Sequence, residues 1–391
     1  MLARGASLLV LDGLVAAEAI AGSDIAFKKF IHELQGQATI SDCTTFLLTS
    51  GGEDAGLATA EHTMVDCVIR MRSQLYGWRA ARDLEVVKRR GAAYLRGRHA
   101  FRIGNAGIEV FPRIEALLAR PSGPTHSGVA RAPTGLPRLD DMIEGGFPRS
   151  SSTVLLGPAG SGKTTLGLHF LGECGAEEPG LFFGCYEMPE ALRAKARALG
   201  LPFADLADRG DIELLWQPTT EGLLDELCAR LLDRLRARRA RRLFLDGLGG
   251  LVKLAGDPER IGHILTAFAN ELRALEVTSI FTQETLDLFG EVVRFPHNGL
   301  GPGELSSVAD NMVLFRFVEL RTRLYRTVTV MKVRDSRIAP RMRAFEMTDR
   351  GIVVDDGPER ADAVLAEAAG RVSPAPALRR EAAPDQPRRE G

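Results

Sequence analysis

Short apolar, β-branched runs alternate with stretches of helical spacing along the second half of the chain. Thr153-Val154-Leu155-Leu156, Leu181 to Tyr186, Arg242 to Leu245 and Thr278 to Thr282 read as buried strands. Thr165 to Leu171 and Gly222 to Arg236 read as helices set between them. This alternation predicts an α/β domain with a mostly parallel central sheet. From about Pro358 onward large apolar residues almost vanish and Ala, Pro, Arg and Glu take over. Such a tail cannot bury enough surface to order itself and is expected to be disordered.

The pattern also repeats. Lys88-Arg89-Arg90-Gly91 and Lys332-Val333-Arg334-Asp335 lie at an offset of 244 (332 − 88), which also relates Asp66 to Asp310 and Phe101 to Phe345. In each copy a strand (Leu84 to Val87; Val328 to Met331) leads to a basic K-x-R turn and then a second hairpin. Upstream, Leu8 to Leu14 matches Leu243 to Leu248 at an offset of 234, so copy two carries about ten extra residues, most simply in Phe295 to Gly303. Repeats of this length mean duplicated domains. The expected organisation is a partial domain over 1–118, a linker over 119–133, a complete domain over 134–357 and the tail over 358–391. The first copy is the C-terminal half of a domain whose nucleotide-holding half is missing. A truncated or wrongly started reading frame is the favoured expectation. The alternative is a degenerate half-domain kept for assembly, with a sheet edge that must be covered.

Candidate chemistry centres on Gly157-Pro158-Ala159-Gly160-Ser161-Gly162-Lys163-Thr164. With a strand before it and a helix after it, this is a complete phosphate-binding loop. Gly157, Gly160 and Gly162 let backbone N–H groups converge on phosphate oxygens, with Ser161 and Thr165 in the same cradle and the helix N-terminus adding positive potential. Lys163 is placed for the outer phosphates and Thr164 for Mg²⁺. The chain is therefore expected to bind a nucleoside triphosphate with Mg²⁺; the family resemblance given below makes it ATP. Asp246 closes an apolar strand, where its carboxylate can hold the Mg²⁺ shell. Asp12, its counterpart in the first copy, has no phosphate loop to serve and reads as a helix cap. Gln283, past the strand ending at Thr282, reads either as a γ-phosphate sensor or as a polar strand end.

Composition narrows the class. The chain has 391 residues and a net charge of −1, so no general pull toward nucleic acid or membrane is expected. No apolar run approaches bilayer length, and five scattered cysteines suit a reducing, cytoplasmic setting. No protein-held metal cluster is visible.

Thr134-Gly135-Leu136-Pro137-Arg138-Leu139-Asp140, then Gly145-Gly146-Phe147-Pro148, the phosphate loop, Phe244-Leu245-Asp246, Leu305 to Asp310 and the K-x-R turn occur in that order. In this order and over most of residues 1 to 355 the chain resembles the KaiC family of RecA-like P-loop ATPases. The resemblance implies a RecA-like core, ring-shaped hexamers, slow ATP hydrolysis, clock-type or signalling partners and, in some members, autophosphorylation on Ser or Thr. It implies that Glu187 is the base that orients attacking water, although Tyr186-Glu187 stands where many members have two adjacent glutamates. It further implies that Lys332 and Arg334 form a finger into the neighbouring subunit's site, and that Ser306 and Ser307 are phosphoacceptors. A Ser pair that merely caps a helix or lines a loop is an equal reading. Two other classes stay open: a RecA/RadA-type DNA-dependent ATPase, and a scaffold in which ATP controls assembly without turnover.

Overall fold

The computed structural model describes residues 6–50, 64–76, 79–124, 130–220, 222–255, 257, 259–286, 300–301, 305, 308–320, 323–334, 336 and 341–357. The chain divides into two compact units, Met1–Ala116 and Leu117–Gly391. The expected tail lies outside the described residues.

In the first unit, β1 (Leu8–Asp12) and β2 (Thr44–Leu48) pair in parallel. The helices Leu14–Ile20 and Asp24–Ile40 connect them, and Ser23 caps the second by accepting a hydrogen bond from Ala26 N at 3.2 Å. Leu14, Phe27 and Ile31 form a small buried core beneath these helices. A separate antiparallel sheet follows, made of β3 (Cys67–Tyr76), β4 (Arg79–Arg89), β5 (Arg98–Gly104) and β6 (Gly107–Phe111).

The second unit opens with a small pair, β7 (Arg131–Ala132) with β8 (Phe147–Pro148). Its body is a nine-stranded sheet built from β9 (Ser152–Gly157), β10 (Gly180–Gly184), β11 (Ile212–Trp216), β12 (Arg242–Asp246), β13 (Thr278–Glu284), β14 (Asn311–Leu320), β15 (Arg323–Val333), β16 (Arg341–Thr348) and β17 (Gly351–Val354). The order is β11-β10-β12-β13-β9-β14-β15-β16-β17, parallel as far as β14 and antiparallel beyond it. This is the α/β architecture that the sequence pattern predicts. The parallel strands are buried on both faces, which is why β9 and β10 read as unbroken apolar runs rather than alternating ones. The helix Lys163–Gly172 packs Leu166, Leu168 and Phe170 into the core with Phe182, Phe244, Ile280 and Phe315.

The repeat holds at the level of single hydrogen bonds. Lys88 Nζ donates to Val65 O at 2.7 Å, and Lys332 Nζ to Ala309 O at 3.0 Å. Arg90 N donates to Asp66 O at 2.8 Å, and Arg334 N to Asp310 O at 3.1 Å. Both copies also break strand register at matching points, Val68/Ile69 and Met312/Val313. The difference lies in the strand β9, which pairs with both β13 and β14 in the second unit. Among the described residues of the first unit, β2 and β3 belong to separate sheets with no strand between them.

Three local expectations shift. The turn of the K-x-R segment begins only at Arg334, since Lys332 and Val333 still belong to β15. Cross-strand pairing with β14 extends the strand further than its apolar run. The strand at Leu181 stops at Gly184, so Cys185 and Tyr186 follow it rather than belong to it. The helix expected over Gly222 to Arg236 runs from Leu224 to Arg238 and ends where Arg239 takes a left-handed φ of 51°.

His169, on the helix that follows the phosphate loop, accepts a hydrogen bond at Nε2 from Ile352 N at 3.2 Å and so ties that helix to β17. Burial pushes its pKa down to about 4 from 6.5. The folded value lies below the unfolded one, so stability is complete above pH 6.5 and falls as pH drops toward 4. A His169→Gln variant keeps an acceptor but cannot titrate. Thermal melts between pH 7 and 4.5 should show a flatter decline for this variant; parallel declines would remove His169 as the cause.

Candidate active site

The loop Gly157–Lys163 joins the end of β9 to the N-terminus of the helix Lys163–Gly172. Gly162 caps that helix at a φ of +106°, a left-handed value that a side chain resists, so glycine is required at this point. Lys163 is buried, and its ammonium donates to the carbonyls of Gly157 at 2.8 Å and Pro158 at 2.7 Å. Burial lowers its pKa, opposed by the carboxylates of Glu284 and then Asp246.

Across the loop, Thr164 Oγ1 donates to Asp246 Oδ2 at 2.8 Å. Thr282 Oγ1 donates to Asp246 Oδ1 at 2.6 Å and accepts from Gly247 N at 2.7 Å. Asp246 is thus held by a hydroxyl on each oxygen. A hydroxyl and a carboxylate oxygen in contact are the hard donors that suit Mg²⁺, which takes few protein ligands and leaves the rest to water and phosphates. Thr164 and Asp246 would hold that ion, and it would supply charge neutralisation on the phosphates. Among the described residues no group of three or more His, Cys, Asp or Glu offers a metal cage. Among the described residues Ser161 Oγ and Gln283 Oε1 are buried with no hydrogen-bond partner, polar atoms that fit a polar ligand beside the loop. Gln283 Nε2 is occupied by Glu284 O at 3.0 Å.

The remaining candidates are engaged elsewhere. Glu187 Oε1 lies 3.3 Å from Lys195 Nζ on the helix Pro189–Ala198. Tyr186 is half-exposed and its ring lies over the turn after Asp246, so close that a Cβ on Gly247 would stand 2.6 Å from Cε2. Gly247 itself has a φ of +100°. Arg334 donates to Asp310 Oδ1 at 2.6 Å and Lys332 to the Ala309 carbonyl. Asp310 is buried and also accepts from Ser152 N at 2.9 Å and Arg273 Nε at 3.0 Å. Burial pushes the Asp310 carboxyl up, but Ser152 N–H, Arg334 and Arg273 outweigh it and hold it below the usual range. Ser306 and Ser307 lie outside the described residues.

Thr282 and Glu284 escaped the sequence reading. A hydroxyl in an otherwise apolar strand beside the Asp246 strand is the signal that points to Thr282.

The family model for the KaiC ATPase matches residues 2–115 and 132–359. The chain belongs to the KaiC ATPase family. It is 26% identical over 347 residues to the circadian clock oscillator protein KaiC of a Picosynechococcus strain, covering 88% of this chain and 64% of that protein. The KaiC of Rippkaea orientalis is 24% identical over 373 residues, with 94% and 69% covered. For the KaiC of Thermostichus vulcanus the identity is 27% over 337 residues, with 84% and 62% covered. The chain thus spans less than two thirds of the length of two of these relatives. KaiC membership makes the second unit a RecA-like P-loop ATPase domain with a mostly parallel sheet. No helix among the described residues is long and apolar enough to cross a membrane.

Thr282→Val removes the hydroxyl that fixes Asp246 while keeping the β-branched shape. It should raise the Mg²⁺ concentration needed for half-maximal nucleotide binding by about tenfold, as losses of supporting hydrogen bonds to metal ligands do. Titration of Mg²⁺ with a fluorescent ATP analogue measures this, and an unchanged midpoint would free Thr282 of the role.

Proposed function

We propose that the second unit binds ATP with Mg²⁺ and hydrolyses it, and that the protein works as a cytoplasmic ring of subunits, a hexamer, with serine autokinase activity. The observation that carries this reading is the contact of Thr164 with Asp246 beside the buried, loop-bound ammonium of Lys163. Gly157, Gly160, Ser161, Gly162 and Thr165 complete the phosphate cradle, and Gln283 has a carboxamide oxygen left for a ligand. Residues 1–118 are read as the C-terminal half of a second KaiC-type domain. The order of their strands and helices and their shared backbone contacts support this. Ser306 and Ser307 are the phosphoacceptors in this reading, and the relatives named as clock proteins suggest signalling partners.

A DNA-dependent ATPase is disfavoured by charge placement. Arg236, Arg238, Arg241 and Arg242, the most basic stretch, lie against Glu271, Glu213, Glu276 and Glu178. These pairs leave less positive potential for a phosphate backbone.

Lys163→Ala should lose ATP affinity and turnover together, because the cation facing the outer phosphates is gone. Incubating both proteins with labelled ATP and Mg²⁺ should give released phosphate, and label on Ser306 or Ser307 peptides by mass spectrometry, from the parent alone. Hydrolysis without label would leave a plain ATPase; equal turnover by the variant would remove the loop from the mechanism.

A finger acting in trans requires a heterologous, ring-closing contact. Mixing Lys163→Ala with Arg334→Ala subunits should therefore restore activity at mixed interfaces. Co-assembled mixtures that stay inactive would place Arg334 in its own subunit's chemistry or outside it.

A further inference from the structure

The carboxylate that orients attacking water must stand free beside the outer phosphates and open to solvent. Glu187 meets only part of this, since its Oε1 is paired with Lys195 at 3.3 Å. Asp246 has both oxygens taken by Thr164 and Thr282. A third carboxylate, Glu284, meets the requirement more fully.

Glu284 is the last residue of β13 and the register partner of Gly157, where the phosphate loop begins. Thr285 N donates to Gly157 O at 3.2 Å, so the backbone around Glu284 is fixed against the loop on the far side as well. Within the strand, Gln283 is buried whereas Glu284 is exposed. No hydrogen-bond donor among the described residues holds its carboxylate. Its register partner Gly157 also accepts the Lys163 ammonium at 2.8 Å, so Glu284 stands one strand away from the carbonyl that holds the loop lysine.

We propose that Glu284, and not Glu187, is the catalytic carboxylate that holds and deprotonates the attacking water. The proposal rests on the ATPase reading above. In the step, the water oxygen forms a bond to the γ-phosphorus as the bond to the β-bridging oxygen breaks. The electron pair of the broken bond leaves with ADP, and the proton of the water passes to Glu284 and from there to solvent. Lys163 faces the same phosphate and offsets the repulsion between it and a nearby carboxylate. Glu187 is left to anchor the start of the helix Pro189–Ala198 through Lys195.

The test compares Glu284→Gln, Glu187→Gln and the parent in single-turnover ATP hydrolysis, with affinity read separately from a fluorescent ATP analogue and folding from circular dichroism. Glu284→Gln should slow hydrolysis by about 10²-fold with analogue affinity nearly unchanged, the loss typical of removing a general base. Glu284→Asp should recover part of the rate, and Glu187→Gln should lose less than about tenfold. A Glu284→Gln protein that hydrolyses like the parent overturns the proposal and leaves the ATPase reading standing. A large loss confined to Glu187→Gln returns the role to Glu187. Loss of analogue affinity in step with rate would make Glu284 a binding residue and equally overturn the claim. A parent that binds the analogue and never hydrolyses ATP fails at the ATPase reading itself, and the role of Glu284 falls with it.

Discussion

The second unit depends on a single buried carboxylate. Asp310 sits at the start of β14 and joins three separate parts of the chain: the first residue of β9 through Ser152 N–H, the helix Arg260–Ala274 through Arg273, and the end of β15 through Arg334. Removing one partner of such a buried charged group commonly costs several kcal/mol, because the remaining charge is left unpaired. Strand β9 is therefore fixed at its beginning by an ion-pair network and along its length by β13 and β14. The phosphate loop hangs from the other end of this strand. A loop of left-handed glycines has little preference of its own, and its shape is imposed from the strand that carries it.

The same arrangement explains why the site is made of hydroxyls as much as of charges. Asp246 is oriented by two threonines, one on the helix after the loop and one on the neighbouring strand. Tyr186 closes over the turn behind it. Burial raises the phenol's pKa, and the nearby Cys185, Glu284 and Asp246 raise it further, so the ring stands there as a neutral wall. A tyrosine here, in place of an acid, leaves less negative charge beside the phosphate loop.

Much of this was legible in the sequence, for reasons that can be named. Buried parallel strands leave unbroken apolar runs, and a phosphate loop leaves a fixed spacing of glycines, so β9, β10, β12, β13 and the loop could be placed directly. The internal repeat was legible because Lys88 and Lys332, with their neighbours, recur at one offset. What escaped depends on pairing between distant strands. Glu284 lies beside Gly157 only through the β13–β9 register, and no local pattern carries that information. The turn read over Lys332 to Arg334 starts later, at Arg334, for a related reason. Two basic residues around a valine look like a solvated bend, yet cross-strand pairing with β14 keeps Lys332 and Val333 extended.

The side chain of Arg334 is 60% exposed while the Asp310 carboxylate it pairs with is 4% exposed. Most of the arginine side chain thus reaches solvent while its guanidinium caps a carboxylate that Arg273 and the Ser152 N–H also hold. An Arg334 that turned to an anion elsewhere would give up its ion pair with Asp310, so such a contact gains only the difference between the two. Contacts made by such an exchange draw little net electrostatic energy. Their strength then rests on how well the second anion fits the planar guanidinium, and geometric fit rather than overall charge becomes the basis of partner choice.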